Sequence, residues 1–327
     1  MNIAIIGGGI AGLTAARDLD AAGHGVRVFD KGRRVGGRAS TRSADSGRLR
    51  FDHGAQYFTA RDADMKKQTR AWVERGVAQL WEAKIGVAER GRIETKDDNP
   101  DRFVGTPGMG ALADDLAIGL SIESGVRIAS LHRERNDRWR LIDDERRVYD
   151  GFDAVVVATP PSQAEALVGE HSARLRETCR ETQMAPCWAV TLSFVLELPI
   201  EHDGIFFGDG PLRWAARDSS KPHRIGAEDW VLHASESWSE QHLEARTDEI
   251  CEALVLAFFE QTGVDHHAPA FARAHRWRYA TPAPPLDRQA EFDPTTQLAL
   301  AGDWLQGARV EGAYVSGRMV AQRLAGR

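Results

Sequence analysis

The chain has 327 residues, with 42 Lys and Arg against 48 Asp and Glu, and a formal net charge of -6. That length is too great for one ordinary core and predicts two intertwined domains, while the mixed charge excludes nucleic acid or an anionic membrane surface as the main partner. No apolar run approaches the roughly 20 residues of a membrane span, so no membrane contact is expected.

The first predicted element is a strand over Ile3 to Ile6, apolar throughout, as expected of a parallel strand buried on both faces. Gly7, Gly9 and Gly12 follow as G-x-G-x-x-G, and Leu13, Ala16 and Leu19 then take helical spacing. In that context Gly7 allows the tight turn, Gly9 brings the backbone of Ile10 and Ala11 up to a pyrophosphate, and Gly12 lets helix and strand pack closely. The helix start adds free N–H groups and partial positive charge for the phosphates. A second strand from Val26 ends at Asp30, placed to accept from a ribose hydroxyl, which favours NAD or FAD over NADP. This apolar start lacks the basic n-region of a signal peptide.

Lys31 opens a basic segment that reaches Gly36-Gly37-Arg38. The glycines let backbone approach a ligand, and Arg38 is suited to neutralise a diphosphate bidentately. Leu49 to Phe58 reads L-R-F-D-H-G-A-Q-Y-F, an extended segment in which Asp52-His53 is expected to be a turn-stabilising pair. A helix is predicted from Met65 to Gly91, with Trp72, Val73, Val77 and Leu80 on one face, followed by short strands. Thr106 to Met109 precedes a helix from Gly110 to Leu120.

Gly125 to Tyr149 alternates apolar and polar residues around Asn136-Asp137, which predicts a hairpin or meander. Phe152 to Pro161 is a second apolar strand ending in A-T-P, whose small residues leave room for a ligand, so Thr159 is expected to touch the cofactor. Ser162 to Pro285 is richer in aromatic residues and histidine. Strands are predicted at Trp188 to Leu196, Gly204 to Phe207, Leu212 to Ala216, Trp230 to Ala234 and Phe271 to Tyr279, with a helix from Leu243 to Phe259. His266-His267 stands in a loop, and no metal site is expected. Cys179, Cys187 and Cys251 form no C-x-x-C, and their odd number suits reduced thiols and a cytoplasmic setting. The chain ends with Q-L-A-L-A-G-D-W from Gln297, R-V-E-G-A-Y-V-S-G from Arg309, and an amphipathic helix to Arg327.

An acid-terminated second strand followed by G-G-R resembles the FAD-binding amine-oxidase superfamily. Within it, D-H-G-A-Q-Y-F-T-A-R-D ending at Asp62, V-V-A-T-P from Val156, H-R-W-R-Y-A from His275, and G-D-W with R-V-E-G-A-Y-V-S-G resemble the renalases and their bacterial relatives. The resemblance implies a p-hydroxybenzoate-hydroxylase-like α/β fold: a Rossmann-type FAD-binding domain (1–62, 103–165 and 290–327) and a discontinuous α+β substrate domain (63–102 and 166–289). It implies noncovalent FAD, with Gln56, Tyr57 and Phe58 beside the isoalloxazine, Ile128 near the adenine, and Asp303 at the ribityl and diphosphate end. A helix beginning near Gly312 and Ala313 would point N–H groups at the flavin N1–C2=O region, with Glu311 expected to cap it.

The renalase activity so implied is oxidation of the 2- and 6-dihydro isomers of β-NAD(P)H to NAD(P)+, with hydride passing to flavin N5 and O2 reduced to H2O2, a metabolite repair needing no acid or base residue. Tyr57, Trp214, His233, His275 and Trp277 are the residue types to stack on and hydrogen-bond an aromatic carboxamide. The competing expectations are an amine oxidase acting on a small amine, for which the loop residue Lys221 is a poor water-holding lysine, and a non-enzymatic escort that keeps the fold without the flavin. A monomer or weak homodimer is expected.

Overall fold

The computed structural model describes residues 1–97 and 100–326. Six strands form one sheet in the order Glu291–Asp293, Leu298–Leu300, Ala154–Val157, Asn2–Ile6, Gly25–Asp30, Ser121–Ser124. All neighbours pair in parallel except the antiparallel edge strand Glu291–Asp293. The central strands are buried on both faces, as their unbroken apolar runs require: Ile3, Ile5, Ala154 and Val156 pack toward one side, Ala4, Val155 and Val157 toward the other.

On the first side lie the helices Ile10–Ala21 and Val310–Leu324. A Cβ at Gly317 would stand 2.3 Å from the Ala11 carbonyl oxygen, so these two helices approach only because that position is glycine. The other side is covered by the predicted meander, Ile128–Arg133, Trp139–Asp143 and Val148–Phe152, and by the helices Pro161–Val168 and Ala173–Arg180. Arg327, to which the sequence extends the last helix, lies outside the described residues.

A second, seven-stranded sheet runs Phe271–Ala283, Gln183–Phe194, Glu228–Ala234, Leu212–Arg217, Gly204–Phe207, Ile85–Glu89, Arg92–Thr95. It is antiparallel apart from the parallel pairing of Gly204–Phe207 with Ile85–Glu89. The helix Thr247–Thr262 covers one face, burying Ile250, Leu254 and Phe258 among Trp188, Trp230 and Leu232. It starts four residues later than Leu243 and ends at Gly263, whose left-handed backbone closes it.

The long helix expected over Met65 to Gly91 is a shorter one, Ala63–Glu74. Gly76, with φ +72°, turns the chain, and Val77 N–H bonds back to the Trp72 carbonyl. Ala78–Leu80 then forms a strand against Phe103–Gly105, which leaves Val73 on an exposed position rather than on a common face with Leu80.

Candidate active site

Between the two sheets lies a cavity of about 2340 Å³ that runs from the glycine-rich turn to the strand Phe271–Ala283. A pocket for one small molecule is roughly 300–1,000 Å³, so this space accommodates a large cofactor together with a substrate.

At the first end, Gly7 (φ +110°) makes the turn with its Cα side against the Ala158 carbonyl, and Gly9 faces open space, where a side chain would intrude. Gly7, Gly9, Ile10 and Ala11 line the cavity, with the helix N-terminus directed at it. Gly12 does not line it. A Cβ there would fall 1.9 Å from the Gly7 carbonyl oxygen, so its role is helix–strand packing alone. Asp30 shapes the loop by accepting from Gly8 N–H at 2.5 Å and Gly32 N–H at 2.6 Å, and its two oxygens retain lone pairs for a ribose hydroxyl. Gly36 N–H donates to the Gly8 carbonyl at 2.7 Å, which lays the Gly36-Gly37 segment along the phosphate turn. Lys31, Gly37, Ile128 and Thr159 line the same end, Ile128 beside Val126 and Ala129.

The fit to a dinucleotide cofactor rests on two observations besides the motif. Gly9 leaves a cradle that a Cβ would fill, and the buried Thr159 hydroxyl has no partner, an expense that a ligand atom would relieve.

Arg38 departs from its expected role. Its guanidinium is forked onto Asp303 at 2.6 and 2.8 Å and also donates to the Ala280 carbonyl at 2.9 Å, so it cross-links the two layers with its charge balanced. Asp303 is likewise committed to Arg38, although both line the cavity. Glu311 is a clearer correction. It caps no turn of its own helix, which begins at Val310 rather than Gly312. Its carboxylate instead accepts from Arg61 and Asp62 N–H at 2.5 and 2.7 Å, just before the helix Ala63–Glu74. Gly312 is packed against Gly307, where a Cβ would meet the carbonyl at 2.1 Å. Neither lines the cavity, whereas Val310 and Ala313 of the same helix start do.

At the second end, all five expected substrate residues line the wall, in two groups. Tyr57 stands 5.6 Å from Trp214, which stands 4.6 Å from Phe206. The other group is built on His53, stacked on Trp277 at 4.9 Å, with His275 edge-on to both. The His53 carbonyl accepts from Trp277 Nε1 at 2.9 Å and from His233 Nε2 at 3.3 Å. Since a carbonyl only accepts, His233 carries its proton on Nε2. Arg42 donates to His275 Nδ1 at 3.0 Å, so His275 carries its proton on Nε2 as well. Burial holds His233 at about 4 and His275 at about 4, the latter with help from Arg42; burial and neighbouring His275 and Arg42 hold His53 at about 3. All three rings are neutral at neutral pH.

Gln56 and Phe58 line the cavity, with Pro107 and Gly108 from the Thr106 to Met109 segment; Thr106 and Met109 turn away. Asp52 is the buried hub behind them. It accepts from Thr41 at 2.6 Å, Met109 N–H at 2.9 Å and Arg224 at 2.5 Å, with Lys221 at 3.5 Å. Burial alone would raise its carboxyl, but Lys221, Arg224 and these hydrogen bonds hold it below the usual range. Lys221, which the sequence suggests is a loop residue, is fully buried, donating to Asp218 at 2.6 Å and to Gln56 Oε1 at 3.1 Å. Its sequence neighbours Ser219, Ser220, Pro222 and His223 give no apolar periodicity that could signal burial. Arg42, Arg273 and Phe206 also line this end and were not expected. Period-two spacing from Trp277 and His275 reaches Arg273 on the same strand face, so that one was within reach of the sequence.

Residues 5–72 match the sequence family described as NAD(P)-binding Rossmann-like domain, and residues 76–325 match flavin containing amine oxidoreductase. The chain belongs to the flavin-containing amine oxidoreductase family. Membership brings a flavin cofactor and FAD-dependent oxidoreductase chemistry on a small molecule. A 54-residue stretch, 16% of this chain, is 46% identical to 4,4'-diapophytoene desaturase (4,4'-diaponeurosporene-forming) of Staphylococcus haemolyticus (strain JCSC1435), and spans only 10% of that enzyme. The fold is shared with cyclohexylamine oxidase of Brevibacterium oxydans IH-35A (TM-score 0.78, 12% identity, covering 99% of this chain and 98% of that one). It is shared equally with putrescine oxidase bound to putrescine (TM-score 0.73, 13% identity, 100% of both chains). At such identities family members have the two-domain flavoprotein fold in common. Among the described residues no helix is long and apolar enough to cross a membrane.

Proposed function

We propose that this family member is a renalase-type oxidase that converts 2- and 6-dihydro isomers of β-NAD(P)H to NAD(P)+, with O2 reduced to H2O2. The overall change balances as dihydronicotinamide plus O2 plus H+ giving nicotinamide cation plus H2O2. When bound, FAD supplies the hydride acceptor at N5 and the route of the electrons to O2. The observation that carries the reading is that neutral His233 and His275 line the same cavity as Trp277, Tyr57 and Trp214. They offer flat apolar faces and, at His275 Nε2, an uncharged N–H donor, which suit an uncharged dihydropyridine bearing a carboxamide.

The chain's contribution is positioning. A dihydropyridine is already a good hydride donor, so the residues need only hold its reacting carbon in line and keep water out. Arg42 occupies His275 Nδ1, which leaves the Nε2–H to suit the carboxamide oxygen. The lining carboxylates nearest this end, Asp248 and Asp303, are each paired with an arginine, Arg246 and Arg38. That leaves little to attract an ammonium substrate. Burial pushes the thiol of the lining Cys187 up to about 12 and raises that of Cys251 as well, which supports noncovalent flavin, since neither offers a thiolate.

The test is anaerobic mixing of the yellow holoprotein with borohydride-reduced NAD+, which contains the 2-, 4- and 6-dihydro isomers, with pure 4-dihydro NADH and a panel of amines alongside. Rapid bleaching by the mixture alone supports the proposal. Bleaching by amines and not by the mixture overturns it.

A further inference from the structure

Arginines crowd the substrate end of the cavity, and most are accounted for. Arg276 and Arg278 pair with Glu244, Arg213 with Glu236, and Arg38 with Asp303. Arg42 and Arg273 also line the cavity, yet pair with no carboxylate among the described residues. The first comes from the small hairpin Arg42–Ala44 and Leu49–Phe51, where it pairs across from Phe51, and the second from the strand Phe271–Ala283.

The hairpin and strand are held together by packing that has nothing to do with charge. Phe51 stacks on Phe271 with ring centres 6.0 Å apart, and His53 contacts both His275 and Trp277. Side chains of one strand alternate, so Phe271, Arg273, His275 and Trp277 share the face turned to the hairpin. Apolar docking therefore sets Arg42 and Arg273 near each other. Burial, and the neighbouring Arg273, lower the Arg42 guanidinium from its ordinary value, as expected of like charges gathered without a counter-ion.

We infer that Arg42 and Arg273 form the anion subsite that takes the phosphate next to the substrate's nicotinamide ribose. The inference rests on the dihydronicotinamide reading above. Arg273 stands two residues, about 7 Å, beyond His275 along the strand, on the scale of one ribose between a base and its 5′-phosphate. Guanidinium forks match phosphate oxygens bidentately, and two of them on one anion relieve their mutual repulsion. The site lies at the opposite end of the cavity from the glycine-rich turn, so it does not compete with the cofactor's own diphosphate.

The test uses FAD-loaded protein and borohydride-reduced nicotinamide riboside, mononucleotide and dinucleotide, with half-saturation for flavin bleaching as the readout. The wild type is expected to favour the mononucleotide over the riboside by roughly tenfold or more. Arg273→Gln should shrink that ratio to about threefold or less, and Arg273→Lys should restore part of it. Independently of turnover, inorganic pyrophosphate should bind the holoprotein by calorimetry, and Arg273→Gln should weaken that binding. An unchanged ratio in the variants, or no pyrophosphate binding in the wild type, overturns the subsite. Failure of every nicotinamide to bleach the flavin, with pyrophosphate still bound through Arg273, overturns the dihydronicotinamide reading and leaves the anion site standing.

Discussion

Lys221 Nζ donates to the side-chain carbonyl of Gln56 at 3.1 Å, so a buried lysine from the second layer fixes a residue of the cavity wall. The same ammonium sits between Asp218 and Asp52, with Arg224 completing a group of two cations and two anions removed from water. Burial raises Asp218 even with Lys221 beside it, while Asp52 is held low, so the charges are not shared evenly. Removing one member strands the others.

Lys221→Met should accordingly destabilise the protein by about 3–5 kcal/mol, because it leaves buried Asp218 without its cation and Asp52 with Arg224 alone. Gln56→Leu removes only a neutral partner of the lysine and should cost about 1–3 kcal/mol. Denaturant unfolding of the holoprotein separates the two. Equal losses would mean that the lysine is held by Gln56 rather than by the carboxylates.

The glycine turn allows a sharper contrast between binding and folding. Gly9 has an ordinary extended backbone (φ -79°, ψ 179°), and a Cβ there touches nothing within 4 Å. Gly9→Ala should therefore fold normally and lose flavin affinity by about tenfold, ~1.4 kcal/mol, because the methyl group occupies the ligand's space. Gly12→Ala meets the Gly7 carbonyl at 1.9 Å and should lower stability by about 1–3 kcal/mol or more through overpacking. Flavin content and thermal midpoints of the two variants, measured side by side, check both halves.

Trp277 has two roles that one substitution divides. Trp277→Phe keeps a ring against His53 and deletes the 2.9 Å donation to the His53 carbonyl. Loss of that bond should cost about 0.5–1.5 kcal/mol of stability, with half-saturation raised more than the limiting bleaching rate. Trp277→Ala should raise both further, since the stacking face goes too. If Phe were as harmful as Ala, the indole N–H would be the operative group.

The glycine-rich end of the cavity was legible because it is built by backbone conformation. Glycines at Gly7 and Gly9, an acid at Asp30 and a small-residue strand end at Thr159 mark themselves in a single sequence. The aromatic end was legible only as residue types. Tyr57, Trp214, His233, His275 and Trp277 do reach one cavity, but the partners that set their protonation come from far along the chain, Arg42 for His275 and the His53 carbonyl for His233 and Trp277. Charged residues misled for a physical reason. Arg38, Asp303 and Glu311 stand in motifs that suggest ligand contact, yet each satisfies another part of the protein, and pairing across 265 residues, as between Arg38 and Asp303, has no local signature. Helix ends failed where a single glycine outweighed an apolar pattern, as Gly76 does after Glu74.

The three neutral histidines tie stability to pH in one direction. Their ordinary value is 6.5; in the folded protein burial, with nearby positive charge, puts His53 at about 3 and both His233 and His275 at about 4. Between about pH 4 and 6.5 the unfolded chain therefore binds more protons at these positions than the native protein does. Stability must fall as pH drops through that window, by up to ~1.4 kcal/mol per pH unit for each ring, and above about pH 7.5 they contribute almost no slope. Thermal or urea unfolding at pH 7.5, 6.5 and 5.5 should show a loss roughly three times larger in the lower interval than in the upper one. His275→Gln, which keeps a neutral side chain that cannot titrate, should flatten part of it. For the same reason substrate half-saturation should show no inflection from these rings between pH 6 and 8. A histidine resonance titrating near 6.5 and assigned to His275 would mean that the ring is charged where a neutral donor is required.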